Sequence, residues 1–203
     1  MSRAGPAPVT HLLYLHGFRS SPQSTKARKL AAWVAAHRPD LVWWCPQLPA
    51  SPAAAMAEVI EGIAGWPRTG MAVVGSSLGG FYATAVAERC GCRAVLLNPG
   101  VDPVRDLAGA VGTTTAWHGG APFDFRPEYI DELRRIAPPP TLTDLDRYFA
   151  VIAKGDEVLS WREMSERYDG CRVRLLEGSD HALSDFDEQL PEVLTFLGLD
   201  EAR

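Results

Sequence analysis

Three kinds of side chain, far apart along this chain, could together carry out nucleophilic acyl transfer: a serine, a histidine and a carboxylate. The serine is Ser77, at the centre of Gly75-Ser76-Ser77-Leu78-Gly79, a G-x-S-x-G pattern. A serine hydroxyl is a weak nucleophile until a base takes its proton, so the pattern needs partners. Where a serine at a strand-to-helix turn does this chemistry, the chain order is nucleophile, acid, histidine. Of the five histidines, His11, His16, His37, His118 and His181, only the last two follow Ser77. The acid must lie between serine and base at the end of a strand. The apolar run Phe149-Ala150-Val151-Ile152 ends in Ala153-Lys154-Gly155-Asp156-Glu157, and only His181 lies beyond it. Asp156 is therefore the expected acid, with Glu157 as the alternative or as a cap for the next helix. Asp180 and Asp185 are nearer His181 in sequence but lack a strand-end position. His118 sits beside Trp117 and two glycines and reads as a structural residue or a substrate contact.

Charge that develops on a carbonyl oxygen under attack needs preorganised N–H donors. One is expected from the Leu78 amide, just after the serine. The other is expected from the Phe18 amide, in the loop His16-Gly17-Phe18-Arg19 that follows the run Leu12-Leu13-Tyr14-Leu15. Gly17 lets that loop pass close to the serine, and His16 orders it. Trp117, Phe123 and Phe125 are candidate acyl-pocket residues. Neither a metal nor a cofactor is called for. Cys90-Gly91-Cys92 lacks the spacing of a metal or redox pair, and the four cysteines read as reduced thiols.

These residues need a scaffold of strands ending at one edge. Short apolar runs at Leu12–Leu15, Leu41–Trp44, Ala72–Val74, Ala94–Leu97, Phe149–Ile152 and Val173–Leu176 alternate with helical segments near Gln23–Ala36, Ala53–Ala64, Gly79–Arg89, Arg162–Tyr168 and Ser184–Leu197. Such alternation predicts an α/β fold with about six parallel strands joined by right-handed crossovers. Pro191 is expected to split or kink the last helix. The stretch Val101–Tyr148 carries no strand signal and one possible helix, Pro127–Ile136. It reads either as a lid or pocket wall or as a surface excursion.

A chain of 203 residues with 46% hydrophobic and 22% charged residues is of the size and composition of one globular domain. A net charge of -5 gives no basic surface for nucleic acid. No window reads as a membrane span or signal peptide. The expectation is one cytoplasmic domain over residues 1–203, with residues 1–10 as a flexible leader. Its partner would be a small-molecule acyl ester, with no nucleic acid and no membrane.

Several motifs in order carry a resemblance to a known group. Leu13-Tyr14-Leu15-His16-Gly17-Phe18, Ser20-Ser21-Pro22, Gly75-Ser76-Ser77-Leu78-Gly79-Gly80-Phe81-Tyr82-Ala83, Asn98-Pro99, Gly155-Asp156-Glu157-Val158-Leu159, Asp180-His181-Ala182 and Phe196-Leu197-Gly198-Leu199 together resemble the small bacterial YqiA-like esterases of the α/β-hydrolase superfamily. The resemblance implies a reduced α/β-hydrolase fold lacking the first two strands of larger members, with a small insert after the fourth strand. It implies hydrolysis of short acyl esters by Ser77, Asp156 and His181. Arg19 stands where members often carry Asn, and Asp102 where a basic residue is common. Two rivals remain at this point: a thioesterase with the same three residues, and a binding protein on the same scaffold without turnover.

Overall fold

Strands buried on both faces of a parallel sheet are near-continuously apolar, and those at its edges are not. The structure, a computed structural model that describes residues 8–199, follows this rule. In chain order it comprises β1 (His11–Leu15), α1 (Thr25–His37), β2 (Val42–Trp44), α2 (Pro52–Gly62), β3 (Met71–Ser76), α3 (Leu78–Cys90), β4 (Arg93–Leu97), α4 (Pro103–Asp106), β5 (Gly112–Thr115), β6 (Pro122–Phe125), α5 (Glu128–Ile136), β7 (Tyr148–Ala153), α6 (Trp161–Arg167), β8 (Arg172–Leu176) and α7 (Phe186–Leu197). Six strands form one parallel sheet in the order β2-β1-β3-β4-β7-β8. Every residue of β3 and β7 is buried, whereas β2 and β8 at the edges expose Val42, Val173 and Leu175.

Alternation along the inner strands builds two cores. Leu13, Leu15, Val73, Leu96, Ala150 and Ile152 face α2, α3 and α6. Leu12, Tyr14, Val74, Val95, Leu97 and Val151 face α1 and α7. From β1 the chain moves outward to β2, then returns past β1 to β3 and continues the other way. The loops after β1 and β3 therefore diverge, and a crevice opens between them at the carboxyl edge, where sites form in such sheets. Among the described residues no helix is long and apolar enough to cross a membrane.

Three expectations are corrected. The segment between β4 and β7 does contain strands: β5 and β6 pair antiparallel, Gly112 opposite Phe125 and Thr115 opposite Pro122. Of their residues only Phe125 is buried, so neither strand has an apolar pattern to reveal it. Val9 and Thr10, expected in the flexible leader, belong to the fold. Val9 is buried and the Thr10 amide donates to the Gly70 carbonyl at 2.8 Å, while residues 1–7 lie outside the described residues. Finally, α7 runs unbroken through Pro191. A proline so near the first turn removes a single ladder bond, and the buried face of Phe186, Val193, Leu194 and Leu197 holds the helix together.

Candidate active site

The turn from β3 into α3 is held open to the crevice by a backbone conformation that few side chains adopt. Ser77 has φ 55° and ψ -123°. A non-glycine residue there stores on the order of 1–3 kcal/mol, which its surroundings must offset. They do so with bonds to both backbone groups. The Ser77 amide donates to the Leu97 carbonyl at 3.0 Å, and its carbonyl accepts from Gly80 at 2.8 Å, Gly100 at 2.9 Å and Phe81 at 3.4 Å. Two glycines are obligatory for the close packing this requires. A Cβ on Gly75 would lie 2.1 Å from the Gly79 carbonyl oxygen, and one on Gly79 would lie 1.9 Å from that of Leu15.

Two loops meet this serine from the far side of the sheet. His181, in the loop between β8 and α7, places Nε2 3.0 Å from Ser77 Oγ. Its Nδ1 lies 2.8 Å from Asp156 Oδ2, in the loop after β7. A carboxylate can only accept, so Nδ1 carries the proton and Nε2 presents a lone pair to the serine hydroxyl. The Asp156 side chain is fully buried, and its other oxygen accepts from the amides of Val158 at 2.8 Å and Leu159 at 2.7 Å. Glu157 faces elsewhere: its Oε2 accepts from the His181 backbone amide at 3.0 Å and so positions the loop, not the ring.

The loop after β1 closes the opposite wall. A Cβ on Gly17 would stand 3.2 Å from Ser77 Cβ, so the backbone carrying Phe18 passes directly by the serine. The amides of Phe18 and Leu78 make no hydrogen bond to other described residues. His16 fixes this loop. Its Nε2 accepts from the Leu48 amide at 3.0 Å, leaving Nδ1 to donate to the Gly17 carbonyl at 3.0 Å. Burial lowers the pKa of His16, which keeps it in this neutral form.

Sequence reasoning quoted Asn98 only as part of a motif and gave it no role. It is buried, with φ 42°, at the end of β4. Its Nδ2 donates to the carbonyls of Asp180 at 2.9 Å and His181 at 3.2 Å, and its Oδ1 accepts from the Ala153 amide at 2.8 Å. One side chain thus ties the histidine loop to the end of the strand that carries Asp156. An amide placed just past the apolar run Ala94–Leu97, where nothing apolar could satisfy it, was the available signal. Asn98→Ala is expected to lower turnover about 100-fold through misplacement of His181. It should also destabilise the protein by about 1–3 kcal/mol. Steady-state rates and denaturant unfolding would measure the two effects.

Around Ser77 the crevice has two unlike chambers. One, of about 360 Å³, is lined mainly by Leu78, Pro103, Leu107, Val158 and Leu159, together with Asp106. The other, of about 290 Å³, is lined by Ser20, Ser24, Thr25, Lys26 and His118. Phe18, Ser77, His181 and Trp117 border both. Trp117 stands at the tip of the β5–β6 hairpin, 67% exposed. It is fixed by its amide to the Arg19 carbonyl at 2.8 Å and by the Arg19 guanidinium, 4.2 Å from its ring centre. The other two aromatic residues are placed differently from the expectation. Phe123 lines a neighbouring cavity without reaching Ser77. Phe125 is fully buried, packed edge-on against Phe18 with ring centres 5.1 Å apart, and supports the wall from behind.

Comparison with known proteins places this geometry in context. Residues 11–198 match the Uncharacterised protein family (UPF0227). Among solved structures, α/β hydrolase domain-containing protein 10 from mouse superposes with a TM-score of 0.68 at 14% identity, covering 97% of this chain and 92% of that one. Est1E from Butyrivibrio proteoclasticus, with ferulic acid bound, gives a TM-score of 0.68 at 14% identity over 97% and 90% of the two chains. The esterase domain of a Rhodothermus marinus protein gives 0.66 at 19% identity over 94% and 86%. The fold is that of the α/β hydrolases.

Proposed function

The chain belongs to the Uncharacterised protein family (UPF0227), and from that premise we propose that it is a serine hydrolase cleaving short-chain carboxylic esters through an acyl-enzyme. One observation carries the reading: the continuous path from Ser77 Oγ to His181 Nε2 at 3.0 Å and from His181 Nδ1 to Asp156 Oδ2 at 2.8 Å. Ser77 attacks the ester carbonyl while His181 takes its proton. The amides of Phe18 and Leu78 hold the oxyanion. Asp156 keeps the ring in its tautomer and stabilises the imidazolium. His181 returns the proton to the leaving alcohol, then activates the water that releases the acid. The likeness in fold to named esterases supports the reading, and the cytoplasm is a compartment that suits its four free cysteines.

The apolar chamber is the site we assign to the acyl chain. Each buried methylene adds up to ~0.8 kcal/mol until the space is filled. For p-nitrophenyl esters of increasing acyl length, kcat/KM is expected to rise over the shortest chains and fall before lipid lengths. Turnover of none of them would leave a binding protein, and a maximum at long chains would remove the short-chain reading. Matched thioesters cleaved faster than oxygen esters would make it a thioesterase.

A further inference from the structure

The second chamber beside Ser77 has no part in the steps above, yet its chemistry is specific. Its lining sets the hydroxyls of Ser20 and Thr25, the imidazole of His118 and the ammonium of Lys26 among aromatic and apolar groups, and includes no carboxylate. We propose that this chamber receives an anionic group, a carboxylate or a phosphate, carried by one half of the ester that Ser77 cleaves. The proposal rests on the hydrolase reading and adds the substrate class to it.

Lys26 carries the argument. It lies in the first turn of α1 and reaches across the crevice to donate to the Ala182 carbonyl, next to His181. An ammonium has three donors, and this bond occupies one. Lys26 makes no ion pair among the described residues. The two carboxylates whose fields reach it are engaged with other donors. Asp156 is held by His181, Val158 and Leu159, and Asp180 by the amide and hydroxyl of Ser184. Of the other titratable groups facing the chamber, His118 and His181 are imidazoles, and Tyr14 is a phenol that burial keeps neutral. A cation is thus drawn into a recess beside the reacting bond without a contacting counter-ion, a position that an anionic ligand would complete. The end of α1 adds to this, because its N-cap Ser24 makes no side-chain capping bond and the positive end of the helix dipole points the same way. Burial pulls the pKa of Lys26 down to about 8, and the fields of Asp180 and Asp156 oppose that fall.

The test compares matched esters with and without an anionic group, a carboxylate in one pair and a phosphate in the other. The p-nitrophenyl monoester of glutaric acid against p-nitrophenyl pentanoate puts the charge on the acyl side. The butyryl ester of glycerol phosphate against that of glycerol puts it on the alcohol side. At low salt and pH 7, at least one pair should favour the anionic member in kcat/KM by about tenfold or more, the range of a charge-assisted hydrogen bond. The favoured pair tells which half of the ester enters the chamber. Lys26→Met should bring that ratio close to one. In the wild type the ratio should fall as pH rises through about 8, as the ammonium loses its charge. A wild-type ratio near one in both pairs overturns the inference. So does a Lys26→Met variant that slows both members equally, since Lys26 then only braces the Ala182 loop. Labelling of Ser77 by a fluorophosphonate separates the two levels. Labelled protein without charge preference removes this inference alone, and unlabelled, inert protein removes the hydrolase reading with it.

Discussion

Ser77→Ala is expected to abolish ester turnover and fluorophosphonate labelling together while leaving the protein folded. Loss of the nucleophile from a triad of this kind lowers kcat on the order of 10⁶-fold, because the remaining members act only through it. The fold should survive, since alanine keeps the Cβ and every backbone bond of the turn, and the strain at φ 55° is unchanged. Ser76 cannot take over. It is the last residue of β3, 7% exposed and paired in register with Leu97, and the turn that presents Ser77 comes after it. Initial rates, intact mass after labelling and a thermal melt check the three parts. A label on Ser76, or on no serine of the wild type, would sink the assignment.

Asp156→Asn should lower kcat about 10⁴-fold, as loss of the carboxylate does in comparable triads by favouring the wrong imidazole tautomer. The asparagine can still accept from Val158 and Leu159, so the loop is retained and the defect is confined to the ring. Glu157→Gln should cost less than about tenfold, because the amide oxygen still accepts from the His181 backbone. Measured on one ester with Ser77 intact, equal or reversed effects would move the acid to Glu157.

The parts of the fold and site that could be read from the sequence share a physical property: they are local. Met71 to Ser76 is apolar or small at every position because it is covered on both faces, and the turn after it needs glycine at two positions where any Cβ collides with backbone. Strand ends place Asp156 and His181 at one edge, so chain order alone could select them. What could not be read depends on distant packing. The β5–β6 hairpin rests on another loop rather than on the main sheet, and Thr113, Thr115, Pro122 and Asp124 are exposed. Phe125 looked like a pocket residue because nothing in its neighbourhood says that Phe18 and Tyr129 will bury it. Lys26 and Asn98 act on carbonyls more than eighty residues away along the chain.

Arg19 is where the hairpin and the loop after β1 become one mechanical unit. Its carbonyl accepts from the Trp117 amide and its Nε donates to the Thr115 carbonyl at 2.7 Å, while the preceding residue supplies the Phe18 amide beside Ser77. On the proposed reading, a ligand that displaced the hairpin would strain these two bonds, and with them the position of the Phe18 amide. Size would then be sensed at the chemical step as well as at the entrance. Oversized esters would be bound and held, yet turned over slowly, acting as inhibitors of the smaller ones.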